Sequence, residues 1–200
     1  PGLINGHHHF YQTLTRAVPA ASNRALFPWL EALYPIWANL SETDILLSSQ
    51  IAASELLLSG CTTAVDHHYL FSEHLLNATD LQVEAVKPLG LRSILCRGSM
   101  SLGQSQGGLP PDRVTQPEAS ILKHSQLMLE AHHDPSPGAM HQIALAPCSP
   151  FSVSKTLMRE TAALAKDFGA GLHTHLSETH DENAFCEDLY GQRPLDYLEE

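Results

Sequence analysis

The chain has 200 residues, of which 43% are apolar and 16% charged, a composition typical of one globular domain with a substantial core. Its formal net charge of −11 argues against a protein that binds nucleic acid through the phosphates. The sequence has no apolar run of the roughly 18–20 residues that a membrane span needs, and no signal-peptide pattern opens it. We therefore expect a cytoplasmic protein without a membrane segment.

The four cysteines stand far apart in the sequence and form no CxxC pair. That spacing is typical of free thiols in a reducing compartment and not of a disulfide framework. The chain begins with Pro1 and stops at Glu200 inside a helical pattern, and we expect it to be part of a longer protein.

Short apolar runs alternate with longer helical patterns along the whole chain. Strands and helices that alternate in this way indicate βαβ units and a parallel sheet. Ser41 with Asp44 predicts a capping box, and Gly60, Gly90 and Gly169 are typical helix stops. In chain order the patterns predict a strand over 2–6, a helix over 42–59, a strand over 62–68, a helix over 80–87, a strand over 91–98, a helix over 117–131, a strand over 142–149, a helix over 154–168 and a strand over 170–177.

A parallel sheet can be an open doubly wound sheet or a barrel, and periodicity alone does not separate the two. Polar residues gather at the carboxyl ends of the predicted strands, where barrel enzymes have their active sites, and this favours an α/β barrel. No glycine-rich phosphate loop follows the first strand, which argues against a dinucleotide-binding sheet. The polar residues at the strand ends are His7, His9, His67, His68, Cys148, His173, His175 and Glu178.

The stretch NGHHHF at the end of the first predicted strand is a candidate metal site. Because side chains alternate along a strand, His7 and His9 point to one side and His8 to the other. Two imidazoles on one face can share a metal ion. An HxH pair alone is a weak signal, since a purification-tag remnant or a solvated surface cluster gives the same letters.

A second histidine pair, in LHTHLSETHDE, strengthens the indication of a metal site. His173 and His175 share a face at the end of the last predicted strand, and Glu178 follows three residues after His175. Two histidine pairs on two strand ends with a nearby carboxylate are more specific than either pair alone.

The letters PGLINGHHHFYQTL, followed near the end of the chain by HTHLSET, resemble the amidohydrolase superfamily. The most similar branch contains guanine deaminases, 8-oxoguanine deaminases and triazine hydrolases. The resemblance covers essentially the whole chain and implies a partial (β/α)8 TIM-type barrel, in which residues 1–200 form about the first five of eight strands. It also implies a flanking β-sandwich and three further β/α units outside this sequence, with a histidine on strand six and a proton-accepting aspartate on strand eight.

The resemblance assigns roles to the clustered residues. It implies that His7, His9 and His175 bind one divalent metal ion, which we expect to be zinc, with iron(II) as the alternative. The motif H-L-x-E-T places the strand-five ligand at His175, so His173 is expected to pack against or support the site. Glu178 is implied to move protons between the attacking water and a ring nitrogen of the substrate.

Four residues are candidates for substrate binding. Gln12 matches the glutamine with which guanine deaminases hydrogen-bond the purine edge. Trp29 lies in the segment that covers the pocket in relatives, and Cys148 stands where several relatives place a substrate-contacting histidine. His67 is a candidate by its position at a strand end alone.

The leading hypothesis is a metal-dependent hydrolytic deaminase of a purine-like heterocycle, in which metal-activated water attacks the amino-bearing carbon. Among such rings 8-oxoguanine is favoured, because HHHFYQTLTR and LFPWLEALYPIW are most similar to that branch. The alternative is an s-triazine chloro- or aminohydrolase, since both rings are flat and rich in nitrogen. A further alternative is an inactive metal-binding fragment. We expect a small-molecule heterocycle as partner, a homo-oligomer for the complete protein, and no activity for this piece alone.

Overall fold

Five parallel strands form one sheet, and their order in space is their order in the chain. The computed structural model describes residues 1–199. The strands are β1 (Leu3–His8), β2 (Cys61–His68), β3 (Arg92–Ser99), β4 (His141–Pro147) and β5 (Gly171–Leu172). The α-helices are α1 (Leu26–Trp37), α2 (Glu42–Leu58), α3 (Ala78–Val86), α4 (Glu118–His132), α5 (Lys155–Asp167), α6 (His180–Tyr190) and α7 (Pro194–Glu199). Short 3-10 helices cover Phe10–Thr15, Lys87–Leu89, Gln104–Gln106 and Asp112–Val114.

Sequential parallel strands joined by helices are the arrangement of the first units of a (β/α)8 barrel. The predicted α/β fold, a partial TIM-type barrel, is confirmed. In this arrangement the carboxyl ends of β1 to β5 lie along one edge, so residues that follow those strands become neighbours.

The helix boundaries follow from local chemistry. Ser41 precedes α2, its hydroxyl accepts from the Asp44 backbone N–H at 3.3 Å, and the Asp44 carboxylate accepts from the Ser41 N–H at 2.8 Å. This is the predicted capping box. Ser154 begins α5 in the same way, accepting from the Leu157 N–H at 3.0 Å. Gly169 follows α5 with a φ of 64°, a left-handed conformation that favours glycine at a helix end.

Two parts of the sequence prediction differ from the structure. No helix was predicted over Leu26–Trp37 or His180–Tyr190. In α1, Pro28 lies in the first turn, where a missing N–H costs little, and Pro35 lies inside the helix. The strand predicted over 170–177 is wrong beyond Leu172. The chain leaves the strand conformation there, although it still follows β4 through hydrogen bonds from the backbone of His173 and His175.

The core lies between the sheet and its helices. Small and branched residues of β2, β3 and β4, such as Ala64, Leu95 and Leu145, pack against Ala52 of α2 and Leu129 of α4. A second buried cluster, rich in aromatic rings, lies beyond the carboxyl ends of the strands and contains Tyr11, Tyr34, Trp37, Tyr69, Phe71 and Phe151. This aromatic cluster therefore lies where a barrel enzyme would bind its substrate.

Over residues 1–199, every helix is too short or too polar to cross a membrane.

Candidate metal centre and substrate cavity

Three histidine rings meet at the carboxyl edge of the sheet. The Nε2 atom of His9 lies 3.1 Å from Nε2 of His7 and 3.2 Å from Nε2 of His175. Two nitrogens bound to one zinc ion at about 2.0–2.1 Å lie roughly 3–3.4 Å apart. Both distances fit ligands of one divalent ion, and the residues that meet are the three that the sequence predicted.

Two of the three rings are held in the tautomer that a metal requires. Nδ1 of His9 donates to the His67 carbonyl at 2.5 Å, and Nδ1 of His175 donates to the Cys148 carbonyl at 2.7 Å. A carbonyl oxygen only accepts, so the proton of each ring is on Nδ1 and the Nε2 lone pair is free. Such an outer hydrogen bond is usual for histidines that bind metals.

Burial keeps these rings neutral. It lowers the pKa of His175 to about 4 and is also the largest cause that lowers the pKa of His9 and of His7. A neutral imidazole is the form that binds a metal ion. The charge state of the cluster therefore also fits a divalent metal.

His67 lies close enough to be a competing ligand. Ring nitrogens of His7, His67 and His175 are within 4.8 Å of one another. Both ring nitrogens of His67, however, are buried and have no hydrogen-bond partner among residues 1–199. His9 has closer nitrogens and a carbonyl partner for its outer N–H, and this favours His9 as the third ligand.

A cavity of about 200 Å³ opens beside the three histidines. Glu178 lies at its rim, and the backbone N–H of Glu178 donates to the Glu182 carboxylate at 2.6 Å. Partial burial, followed by the charge of Glu182, raises the pKa of Glu178. Trp29, Tyr34 and Phe151 form an aromatic part of the wall, which suits a flat heterocycle.

Gln12 is fixed by two tyrosine hydroxyls. Its amide nitrogen donates to the hydroxyl oxygens of Tyr11 and Tyr69, each at 3.3 Å. Because Nε2 is used in this way, Oε1 of Gln12 is left as the acceptor for a molecule in the cavity. Tyr69 was not among the residues predicted from the sequence, although it lines the cavity directly after the β2 histidines.

The other sequence candidates have different outcomes. Trp29 and Cys148 line the cavity, and burial raises the pKa of the Cys148 thiol to about 12, so this group is neutral at physiological pH. His67 is fully buried below the cluster, stacks on His175 at 4.4 Å, and is outside the described cavity wall, so its placement does not support contact with a substrate. His8 packs on Phe10 at 5.2 Å and turns away from the cluster.

Residues 1–200 match the family model described as the amidohydrolase family. The chain belongs to the amidohydrolase family. All of it aligns at 53% identity with 8-oxoguanine deaminase of Pseudomonas aeruginosa and covers 44% of that protein. It is 36% identical to hydroxydechloroatrazine ethylaminohydrolase of Pseudomonas sp. strain ADP and covers 42% of it. Among solved structures it is similar to the zinc complex of atrazine chlorohydrolase from Arthrobacter aurescens TC1, with a TM-score of 0.93, 32% identity, and 100% and 45% of the two chains covered.

The chain therefore spans less than half the length of the relatives it matches. Within residues 1–199, the carboxyl ends of the five strands carry three clustered histidines, one carboxylate and an aromatic cavity wall.

Proposed function

We propose that the complete protein is a metal-dependent hydrolytic deaminase that acts on a purine-like heterocycle, with 8-oxoguanine as the favoured substrate. One observation carries the proposal: the Nε2 atoms of three histidines meet beside the same aromatic cavity that Glu178 lines, with spacings of 3.1 and 3.2 Å that suit ligands of one metal ion. The 53% identity to an 8-oxoguanine deaminase supports the choice of substrate.

His7, His9 and His175 hold the metal ion in this proposal. We favour zinc, because the similar atrazine chlorohydrolase was solved with zinc, while imidazole ligands suit iron(II) as well. A divalent ion bound there supplies water of lowered pKa for attack on the amino-bearing carbon.

Glu178 carries the proton. In this proposal Glu178 donates to the ring nitrogen beside the attacked carbon, and burial, followed by the charge of Glu182, raises its pKa, which favours the protonated carboxyl. Water adds to the amino-bearing carbon, and one of its protons reaches the neighbouring ring nitrogen through Glu178. The proton of the resulting hydroxyl group then passes to the amino group, and ammonia leaves as the carbon–oxygen double bond of the product forms. Trp29 provides a flat surface for the ring, and Oε1 of Gln12 accepts one of its N–H groups.

The preference for 8-oxoguanine over guanine has a physical basis. Oxidation converts N7 from an acceptor to an N–H donor and adds a carbonyl group at C8. The cavity provides Oε1 of Gln12 as a strong acceptor, whereas the Cys148 thiol is a weak one. A site that pairs a substrate N–H rejects the analogue that lacks it, because a buried acceptor then loses its partner.

A second candidate is hydrolysis of an s-triazine that carries chloride or an alkylamine. The 36% identity to the ethylaminohydrolase and the close structural similarity to atrazine chlorohydrolase favour it specifically. The same histidines and Glu178 would serve, and only the leaving group would change.

The test is a comparison of kcat/KM for 8-oxoguanine, guanine, isocytosine, hydroxyatrazine and atrazine with the complete zinc-loaded protein. We expect 8-oxoguanine to be fastest. Guanine at an equal or higher rate would overturn the choice of purine, and a faster triazine would establish the second candidate. No turnover of any ring by a protein with bound metal would leave only a metal-binding role.

A further inference from the structure

The outer nitrogen of His7 differs from those of its two partners. The outer N–H groups of His9 and His175 are held by backbone carbonyls. Nδ1 of His7 instead lies 3.1 Å from Nε2 of His173, and Nδ1 of His173 lies 3.5 Å from Sγ of Cys96. His7 is thus the one proposed ligand that is oriented by a side chain, that of His173, and His173 in turn contacts Cys96.

The two hydrogen bonds that link His7, His173 and Cys96 can both run in either direction, which gives two arrangements of their protons. In the first, Nδ1–H of His7 donates to Nε2 of His173, and Nδ1–H of His173 donates to the Cys96 sulfur. In the second, the Cys96 S–H donates to Nδ1 of His173, and Nε2–H of His173 donates to Nδ1 of His7. The second places the remaining His7 proton on Nε2, where it blocks a metal ion, so only the first allows His7 to bind through Nε2.

We propose that His173 is a positioning residue for the metal centre, which sets the tautomer and orientation of His7, and that Cys96 helps to orient the ring of His173 in turn. This inference rests on the proposed metal site. The two histidines of HTH then have separate roles. His175 binds the ion directly, and His173 orients His7, a ligand from the other end of the sequence.

The surroundings of His173 fix its ring in this position. Cys96 is fully buried on β3 and is the register partner of His67 on β2. The His67 ring packs on His173 at 4.9 Å. Because Cys96 has no exposed surface, water does not easily replace its sulfur as the partner of His173.

Two substitutions separate the hydrogen bond from the shape of the ring. His173→Gln keeps an acceptor oxygen near the position of Nε2, whereas His173→Leu keeps bulk without an acceptor. His141→Leu is the matched control, since His141 lies at the amino end of β4 and bonds to Ser93 at 2.9 Å, away from the cluster. A circular dichroism spectrum of each complete protein checks that it is folded.

The measurement is metal retention in the absence of substrate. Zinc transfer to a chromogenic chelator gives the affinity, and the visible spectrum of the cobalt(II) form reports the ligand geometry. We expect His173→Leu to weaken zinc binding by about 10–100-fold and to change the cobalt spectrum, as loss of an outer partner typically does. His173→Gln should stay within a few-fold of the wild type, and His141→Leu should equal it.

A Cys96→Ala substitution tests the second link. We expect a smaller loss of zinc affinity in the wild-type background, and no further loss when His173 is already leucine, because the ring that Cys96 orients is then absent. Zinc affinity of His173→Leu equal to the wild type would overturn the inference, as would equal losses in the glutamine and leucine variants. A wild-type protein that binds no divalent metal would overturn the metal site with it. Since no substrate is used, failure of the deaminase activity is a separate result.

Discussion

At the scale of single residues, Glu178 is the group whose loss should separate chemistry from metal binding. It lines the cavity, and it is three positions after His175, a proposed metal ligand. A Glu178→Gln substitution keeps the size of the side chain and removes the exchangeable proton. We expect kcat to fall by about 10²–10⁴-fold while zinc content is unchanged, since general acid–base catalysis typically contributes that much.

Steady-state kinetics combined with metal analysis check this expectation. Glu187→Gln is the matched control, because Glu187 is exposed on α6. A kcat for Glu178→Gln close to that of the control would exclude Glu178 from the proton transfer.

Gln12 should determine how well the ring is held. The two tyrosine hydroxyls direct Nε2 away and leave Oε1 for the substrate. We expect Gln12→Leu to lower kcat/KM by about 10–100-fold, the cost of one buried unpaired N–H. Tyr69→Phe should have a smaller effect in the same direction, because it removes one of the two groups that orient the amide. Unchanged kcat/KM in Gln12→Leu on 8-oxoguanine would remove Gln12 from the binding site.

Asp66 links the site to the fold and should make stability depend on pH. It is fully buried and accepts from the Phe10 backbone N–H at 2.6 Å and from the Gln82 amide, which fixes the turn after His9. Burial raises the pKa of Asp66 to about 7, although these hydrogen bonds oppose the shift. A carboxyl with a pKa above its unfolded value of about 3.9 favours folding below that value, and this contribution is lost as the pH rises through about 7.

We therefore expect the wild type to lose stability relative to Asp66→Asn between pH 5 and pH 8, by on the order of 2–3 kcal/mol, because roughly two units of the shift lie above pH 5. Urea unfolding of the metal-free complete proteins at both pH values measures this difference, with Asp167→Asn on the surface of α5 as the control. The same difference between the two proteins at both pH values would contradict it.

At the scale of elements, the sequence was informative wherever periodicity and chemistry agreed. The three middle strands and α2 were predicted near their observed bounds because apolar runs, a capping box and a stop glycine all indicated the same ends. The pairing of His7 with His9 was predicted from strict alternation. It holds in the structure even though the β1–β2 register shifts between Asn5 and His8.

Other features could not be predicted from local patterns. The partner of His7 is His173, a contact across most of the chain that depends on how the backbone leaves β5. Likewise, His67 is buried below the cluster because of the side of β2 on which its side chain lies. The local sequence shows only that His67 lies at the end of a strand. Tyr69 was missed because nothing local distinguishes a cavity tyrosine from a core tyrosine.

Gly98 of β3 packs tightly against the backbone at the end of β2, so a single added methyl group should disturb this contact. A Cβ on Gly98 of β3 would lie 2.2 Å from the His68 carbonyl oxygen and 2.6 Å from Cα of Tyr69. Both obstacles are backbone, so β2 and β3 would have to separate at the edge that carries the cavity. We expect Gly98→Ala to lower the thermal midpoint by several degrees and to reduce kcat/KM as Tyr69 moves.

Gly171→Ala on β5 is the matched control, since its added Cβ would meet only the Ala144 Cβ at 3.7 Å, an ordinary contact. Differential scanning fluorimetry and steady-state kinetics of both variants measure the comparison. A Gly98→Ala protein as stable and active as Gly171→Ala would mean that the strands adjust without cost.

At the scale of the whole molecule, the site depends on units from both ends of the chain. His9 follows β1, His175 follows β5, and the sheet order places them at one edge with their Nε2 atoms 3.2 Å apart. The strands between them mainly orient these histidine rings. The carbonyl of His67 on β2 accepts from His9, and the carbonyl of Cys148, which follows β4, accepts from His175. This division explains why the three histidines proposed as ligands could be predicted from two short motifs, whereas the groups that orient them could not.

The two outer strands of the sheet make a last prediction about residues 1–200 expressed alone. Leu3 and Ile4 on β1 are 64% and 75% exposed, and Leu172 on β5 is 45% exposed. Unpaired strand edges with exposed apolar side chains favour association with other chains. We expect this polypeptide to self-associate and to show no deaminase activity, in contrast to the complete protein. Size-exclusion chromatography with light scattering and an ammonia-release assay on 8-oxoguanine test both points; a monomer with measurable turnover would show that these five strands suffice for the site.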